Sequence, residues 1–372
     1  MTTNSFRKRV ESLLALANIR VDGDQPWDIQ VHQPSLFHRV LAQGTIGAGE
    51  AYMDGWWDCP RLDQFICRFM AAELDRKFRA PAVVVDILQA KLSNRQRGSR
   101  AFQIGPAHYD IGNDLYRQML DSRMIYSCGY WPEASTLEQA QENKLDLICR
   151  KLGLQAGMRV LDIGCGWGGT SKYIAERYDV EVVGCTVSAE QAHLAQEQCQ
   201  NLPVKILLQD YGAISGSFDR ILSIGMFEHV GYKNYRKYMT TVARMLKEDG
   251  LFLLQTIGSN KSVIIVDPWI ERYIFPKGLL PSAKQITTAS EGTFIIEDWH
   301  NFGVDYDKTL MAWHENFVAA WPELKQSYDQ RFYRMWCYYL LCSAGTFRAR
   351  KNQLWQIVFS KNGVPGGYRA PR

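Results

Sequence analysis

The chain predicts an α/β protein, a doubly wound Rossmann-like domain with a seven-stranded sheet, preceded by a smaller mixed domain. Three observations carry this expectation. From residue 137 onward helical and strand-like segments alternate, the first strand of that series runs into a glycine-rich turn, and the first 75 residues show neither feature.

The elements follow in order. An amphipathic helix over Phe6–Ala17 and a strand-like stretch over Trp27–Val31 open the chain, with turn-rich connections. The segment Leu92–Gly105 (LSNRQRGSRAFQIG) is polar, basic and short of apolar periodicity, which marks a linker. The domains expected are therefore an amino-terminal unit over 1–91, a basic linker over 92–105 and a catalytic domain over 106–372. Within the last, helix Leu137–Leu152 precedes strand Arg159–Ile163, and helix Ser171–Tyr178 precedes strand Val180–Cys185. Helix Ala189–Cys199 and strand Val204–Gln209 follow, then strand Phe218–Ile224, helix Tyr235–Leu246 and strand Leu251–Ile257. The late strands Thr293–Trp299 and Leu354–Ser360, separated by an aromatic-rich helical stretch over Leu310–Arg348, complete seven strands with an antiparallel one at the edge.

Composition excludes several classes. A chain of 372 residues, 46% hydrophobic and 22% charged, is neither disordered nor collagen-like. No apolar run approaches the roughly 18 residues needed to span a bilayer, and no signal-peptide pattern opens the chain, so a cytoplasmic protein is expected. The nine cysteines form no C-x-x-C pair, which argues for reduced thiols and no metal site. The net charge of +4 conceals an uneven distribution: residues 1–100 sum to +3, residues 101–330 to −7 and residues 331–372 to +8. Arg76, Lys77, Arg79, Lys91, Arg95, Arg97 and Arg100 flank the apolar stretch Ala80–Leu88. Basic residues around an apolar segment suit an anionic membrane surface, although a solvated helix face between domains has the same pattern. No recognition helix, RRM or zinc-finger signature points to nucleic acid.

The loop after the first strand reads Asp162-Ile-Gly-Cys-Gly-Trp-Gly168. Gly164, Gly166 and Gly168 allow a tight turn and close approach of backbone to a ligand. For a dinucleotide the third glycine is misplaced, and the second strand ends in Gly184-Cys185-Thr186 where an acid is required, which disfavours NAD. The form D-I-G-x-G-x-G resembles motif I of class I S-adenosylmethionine methyltransferases. That resemblance implies S-adenosyl-L-methionine as cofactor, with Cys165 and Trp167 in the loop contacting it alongside the glycines. It further implies that Thr186 and Gln191 hold the ribose, and that Gln209, Asp210 and Tyr211 contact the adenine.

Further segments narrow the family. They are Tyr109-Asp-Ile-Gly-Asn-Asp114, Tyr126-Ser-Cys-Gly-Tyr-Trp131, Gly225-Met-Phe-Glu-His-Val-Gly231, Gln255-Thr-Ile-Gly258, Asp305-Tyr306, Asp267-Pro-Trp-Ile270, Tyr273-Ile-Phe-Pro276, Leu310-Met-Ala-Trp313 and Tyr52-Met-Asp-Gly-Trp-Trp57. Together they resemble the cyclopropane-fatty-acyl-phospholipid synthases and their mycolic-acid-modifying relatives over nearly the whole chain. The resemblance implies methylene transfer to the cis double bond of an unsaturated acyl chain in a membrane phospholipid. An alkene is a weak nucleophile, so the methyl donor must be held in line in a dry pocket, and attack leaves a cation on the chain. Aromatic faces stabilise such a cation, and Tyr130, Trp131, Phe227, Tyr306, Trp313 and Phe317 are available.

Ring closure needs a base. The resemblance implies a bound bicarbonate, surrounded by Cys128, Glu228, Tyr306 and the backbone from Gln255 to Ile257, with Tyr126 and Ser127 among the cofactor contacts. Taken singly, Cys128 reads as a buried small hydrophobe, Tyr306 as a core tyrosine and Glu228 as a helix-start acid. Their joint occurrence in matching motifs favours function. Two departures stand out: Gln255 occupies the place of a histidine, and the late cysteine of the family falls on Ser343, with Cys342 one place earlier. An amide can bond an anion but cannot carry a proton at neutral pH, and methylene transfer needs no acyl-enzyme. The resemblance further implies a homodimer; the basic charge of the two ends, +3 and +8, points to docking of the amino-terminal unit and linker on anionic lipid, which places the protein peripherally at the inner face of the membrane. Other readings are a fatty-acyl C-methyltransferase that leaves a methyl branch, and a non-catalytic lipid-binding protein.

Overall fold

The computed structural model describes residues 3–78 and 112–372. The linker at 92–105 and the apolar stretch Ala80–Leu88 fall outside the described residues. In chain order come α1 (Thr3–Ala15), β1 (Gln30–Val31), α2 (Leu36–Gln43), α3 (Thr45–Met53), β2 (Trp57–Asp58) and α4 (Leu62–Ala71). Then follow α5 (Asn113–Met119), α6 (Leu137–Leu152), β3 (Arg159–Ile163), α7 (Gly169–Arg177), β4 (Glu181–Thr186), α8 (Ala189–Gln198) and β5 (Val204–Leu208). The chain continues through β6 (Phe218–Ile224), α9 (Tyr235–Met245), β7 (Leu246–Ser259), α10 (Pro268–Tyr273), α11 (Ala283–Ser290), β8 (Ile295–Asn301), α12 (Val304–Leu324), α13 (Gln330–Arg348) and β9 (Asn352–Ser360).

These elements form two compact units, one drawn from Met1–Ser93, Ile264–Pro276 and Tyr306–Asn352, the other from Asn94–Val263, Lys277–Asp305 and Gln353–Arg372. The first is thus not the contiguous stretch 1–91 alone. Arg334 on α13 donates to the carbonyls of Tyr52 and Trp57 and to Asp58. Arg348, at the end of α13, joins Asp63 at 2.6 Å and Asp307 at 2.8 Å. Gly345 lets α13 close on α4, because a Cβ there would stand 2.5 Å from the Asp63 carbonyl oxygen. β1 and β2 pair antiparallel as a two-residue ribbon. The strand expected over Trp27–Val31 shrinks because buried Asp28 accepts the backbone N–H groups of Arg20 and Gln25, which makes its neighbourhood a turn. The helical stretch over Leu310–Arg348 is two helices: α12 ends just after Pro322, and Asp329 caps α13 by accepting the Phe332 N–H at 2.7 Å.

In the second unit the seven strands are ordered β5-β4-β3-β6-β7-β9-β8. β5, β4, β3, β6 and β7 are parallel, and β8 pairs antiparallel with β9. Reversal of chain order on either side of β3 puts a switch point at the carboxyl ends of β3 and β6, where ligands of open α/β sheets bind. The period of two along β3 sends Leu161 and Ile163 to the face covered by α9, with Tyr238, Met239 and Val242. Val160 faces the other way, with Leu145 and Ile148 of α6 and Tyr173 and Ile174 of α7. Asp162 shares that second face and lies buried beneath two helices.

Candidate active site

The turn after β3 hangs from β4, because the N–H groups of Gly164 and Cys165 both donate to the Cys185 carbonyl. Gly164, Gly166 and Gly168 all have positive φ, at 81°, 54° and 85°. At Gly164 a Cβ would stand 2.7 Å from Met226 Cγ, so only glycine keeps the turn tight here. Asp162 accepts a 2.8 Å bond from the Ser171 hydroxyl, and burial lifts its carboxyl to about 6 despite the pull of Ser171 and Lys144. At the end of β4 the Thr186 hydroxyl meets Gln191 Oε1 at 3.0 Å, and Ser188 caps α8 by accepting the Gln191 N–H. Both residues expected at the ribose are thus joined by one bond. After β5, Asp210 turns the chain by accepting the Gly212 N–H, with Gln209 and Tyr211 on either side.

The Tyr126–Trp131 segment lies against the same loop. The Tyr116 ring packs 5.2 Å from Tyr126 and 4.8 Å from Trp167, whose indole N–H donates to Asn113 Oδ1 at 2.9 Å. The Trp131 N–H donates to Asp305 at 2.9 Å, and Tyr130 packs edge-on against Phe302. Cys128 is fully buried, its thiol 3.1 Å from the Gly129 carbonyl.

Glu228 sits in a short helical turn, Phe227–His229, after β6. Its Oε1 accepts the Ile257 N–H at 2.7 Å from the end of β7. Its Oε2 is buried and has no hydrogen-bond partner among the described residues. Burial raises the carboxyl to about 7, against the bonds from Ile257 and Thr256. The Ile257 N–H therefore orients Glu228 and is not open to an anion itself. Gln255, on the face of β7 shared by Leu251 and Leu253, has its Oε1 bonded by Gln356 Nε2 at 2.9 Å, while its own Nε2 and Gln356 Oε1 are buried without a partner among the described residues. An unsatisfied acceptor that can hold a proton and an unsatisfied amide donor, two residues from the strand end that fixes it, fit a small oxyanion such as bicarbonate. Burial keeps His229 neutral, its pKa down at about 4.

Phe227 stacks 4.2 Å from Tyr235 inside the core, so its face is taken by packing. Tyr306, Trp313, Phe317 and Ser343 belong to the first unit, where Tyr306 packs 4.6 Å from Phe347 and Ser343 is half-buried on α13. Burial pushes the Cys342 thiol well above its usual range, which leaves it un-ionised at neutral pH. Among the described residues no group of histidine, cysteine and carboxylate side chains is arranged to hold a metal, and no helix is long and apolar enough to cross a membrane.

Sequence reasoning missed the support beneath the site: Ser171 under Asp162, Gln356 against Gln255, and Gln141 and Lys144 on α6. Gln141 Nε2 donates to the Ser127 carbonyl at 2.8 Å and Lys144 Nζ to the Ser127 hydroxyl at 3.0 Å. The signal was present, since Gln141 and Lys144 stand on the stripe of Leu137, Ala140, Leu145 and Ile148 that the helical period sends inward.

Strand order, switch point and glycine loop define a class I S-adenosylmethionine methyltransferase. The model of the mycolic acid cyclopropane synthetase family matches residues 96–357, and the chain belongs to that family. It is 56% identical to the cyclopropane-fatty-acyl-phospholipid synthase of Escherichia coli K12, over 99% of this chain and 97% of that protein. A probable fatty acid methyltransferase of Pseudomonas putida is 36% identical over 71% of this chain and 70% of its own length. Among solved structures, the mycolic acid cyclopropane synthase CmaA1 complexed with SAH and CTAB superposes with a TM-score of 0.66 at 33% identity, covering 70% of this chain and 98% of that one. The cyclopropane synthase MmaA2 of Mycobacterium tuberculosis gives the same TM-score at 32% identity, over 70% of this chain and 98% of that one.

Proposed function

We propose that the protein is an S-adenosylmethionine-dependent enzyme that forms a cyclopropane ring at the cis double bond of phospholipid acyl chains. The observation that carries this reading is 56% identity to a cyclopropane-fatty-acyl-phospholipid synthase along 99% of the chain. When bound, S-adenosylmethionine supplies an electrophilic methyl group and bicarbonate a base. The glycine turn after β3 brings backbone close to the first of these, with Thr186 and Gln191 at the ribose and Asp210 beside the adenine. For the second, Glu228 has a pKa raised to about 7, so its protonated form is available near neutral pH to donate from Oε2 to an anion, and Gln255 Nε2 adds a donor. A buried, water-poor setting strengthens both bonds and protects a cationic chain from hydrolysis. Tyr306 is assigned a further hydrogen bond to the anion, and Cys128 lines its site.

The phospholipid is brought by the basic amino-terminal unit and linker, which dock on anionic lipid at the inner face of the membrane; the protein acts as a homodimer. Charge reversal at Arg95, Arg97 and Arg100 should weaken sedimentation with anionic vesicles. The direct assay is mass spectrometry of fatty acids after incubation with S-adenosylmethionine, bicarbonate and vesicles of a cis-unsaturated phospholipid. A product one CH2 heavier that resists mild hydrogenation supports ring formation. A CH2 gain with the double bond retained favours a methyl-branching enzyme, and an unchanged chain favours a lipid-binding protein.

A further inference from the structure

Lys144 has no solvent exposure, yet its ammonium makes a single hydrogen bond among the described residues, to the neutral Ser127 hydroxyl at 3.0 Å. No carboxylate among them pairs with it directly. Asp121 and Asp162 act on its charge without hydrogen-bonding to it, so the one bond Lys144 makes fixes a donor direction at Ser127. Polarity settles the direction of the bond. An ammonium only donates, so Ser127 Oγ accepts, and the hydrogen of Ser127 is left for another acceptor. No protein group among the described residues takes it.

The surrounding backbone fixes where that hydrogen sits. Gln141, one turn before Lys144 on α6, holds the Ser127 carbonyl at 2.8 Å, and Asp121 accepts the Ile125 N–H at 2.8 Å. The segment rests on the start of α7, directly after the glycine loop: a Cβ at Gly169 would stand 2.2 Å from the Arg123 carbonyl oxygen and 2.8 Å from Ile125 Cδ1. Ser127 therefore follows a segment pressed against the start of α7, directly after the turn assigned to the cofactor, with its carbonyl and hydroxyl both bonded from α6. We infer that Lys144 is a positioning residue that commits the Ser127 hydroxyl to donate to the carboxylate of the cofactor's amino-acid end; this rests on the S-adenosylmethionine reading above. Burial lowers Lys144 to about 8, with Asp121, Cys128 and Asp162 pulling it back up, so the ammonium is charged at neutral pH and its charge is lost as pH rises past that value.

The test uses calorimetric titration of the full-length protein, in bicarbonate-free buffer, with S-adenosylhomocysteine and with 5′-methylthioadenosine, which lacks the amino-acid carboxylate. Lys144→Gln and Ser127→Ala are each expected to weaken S-adenosylhomocysteine by about tenfold or more and to leave methylthioadenosine within about twofold. The double variant should be no worse than the weaker single one, because both remove the same bond. In the unaltered protein, which needs no variant to fold, the preference for S-adenosylhomocysteine should fall from pH 7 to pH 9, and the part of that slope owed to Lys144 is the part missing from Ser127→Ala. Equal weakening of both ligands would reduce Lys144 to a packing role and overturn the inference. So would unchanged affinity together with an altered bicarbonate dependence of turnover, which would place the hydrogen on the other anion. Failure of the unaltered protein to bind either nucleoside would instead sink the cofactor reading on which the inference rests.

Discussion

The Ile257 N–H holds Glu228 by one carboxylate oxygen, at 2.7 Å, and leaves the other buried and unpartnered among the described residues. A carboxyl fixed at one end and open at the other is arranged to address a second group without moving. That relationship yields two expectations about the same side chain. Glu228→Gln keeps the Ile257 bond and removes the titrating proton. Turnover should fall by about 10²–10⁴ with S-adenosylhomocysteine affinity unchanged, as judged by steady-state kinetics beside calorimetry.

The same group makes stability depend on pH. The folded carboxyl titrates at about 7, above its unfolded value of 4.5, so its contribution is full below the unfolded value and is lost as pH rises through 7. The Gln variant has nothing to lose. Its melting temperature should gain on that of the unaltered protein between pH 5 and pH 8; parallel curves would mean that Glu228 is not buried in solution.

Gln255 gives a separate handle on the anion. Leu has a similar volume but no amide, so Gln255→Leu removes the free donor and also strips the bond from Gln356. The bicarbonate concentration for half-maximal activity should rise by about tenfold, the cost of one hydrogen bond to a charged partner, while the KM for S-adenosylmethionine holds. A rise in both constants would locate the damage in the fold of the sheet.

At Gly164 the demand is steric. Alanine there meets both a φ of 81° and the Met226 side chain, a combined cost of about 1–3 kcal/mol. Because the strained residue is the ligand turn, the loss should appear mainly as weaker S-adenosylhomocysteine binding with a modest drop in melting temperature.

Much of the catalytic unit was legible in one sequence because its strands are short apolar runs bounded by helices. Arg159–Ile163 and Phe218–Ile224 stand where their patterns put them, and the alternation along β3 placed Asp162 beneath α6 and α7. The buried polar layer was not legible in practice. A lysine inside a helix is normally an exposed residue, and only the inward stripe of Leu137, Ala140, Gln141, Lys144 and Leu145 identifies it as buried. Least visible was the make-up of the first unit. Arg334 with Asp58 and Arg348 with Asp63 are pairs separated by more than half the chain, and no local periodicity announces a partner so far away.

Cys342 and Ser343 test whether a late nucleophile takes part. Burial keeps the Cys342 thiol protonated at neutral pH, and a reaction that forms no acyl-enzyme asks for no serine nucleophile at Ser343. Cys342→Ala and Ser343→Ala should each retain activity within about twofold; a hundredfold loss in either, with the melting temperature intact, would require a covalent or substrate-binding role.

Arg348 carries the most exposed risk to the first unit. It joins Asp63, which is 1% exposed, at 2.6 Å and Asp307 at 2.8 Å. Burial alone would raise the Asp63 carboxyl, but the bonds from Arg61 and Arg348 outweigh it and hold the group below its usual range. Its contribution is therefore present above the ordinary carboxylate pKa and is lost as pH falls through the depressed folded value. Arg348→Met keeps the length of the side chain and removes the charge, leaving Asp63 with Arg61 alone. Because Arg348 is itself about a third exposed, the cost should be nearer 2 than 5 kcal/mol, at the low end for breaking a buried pair. The loss should be largest near pH 7 and should shrink in acid as Asp63 takes up a proton. Urea unfolding at pH 7 and at a pH below the ordinary carboxylate range separates this from a packing defect, which would cost the same at both.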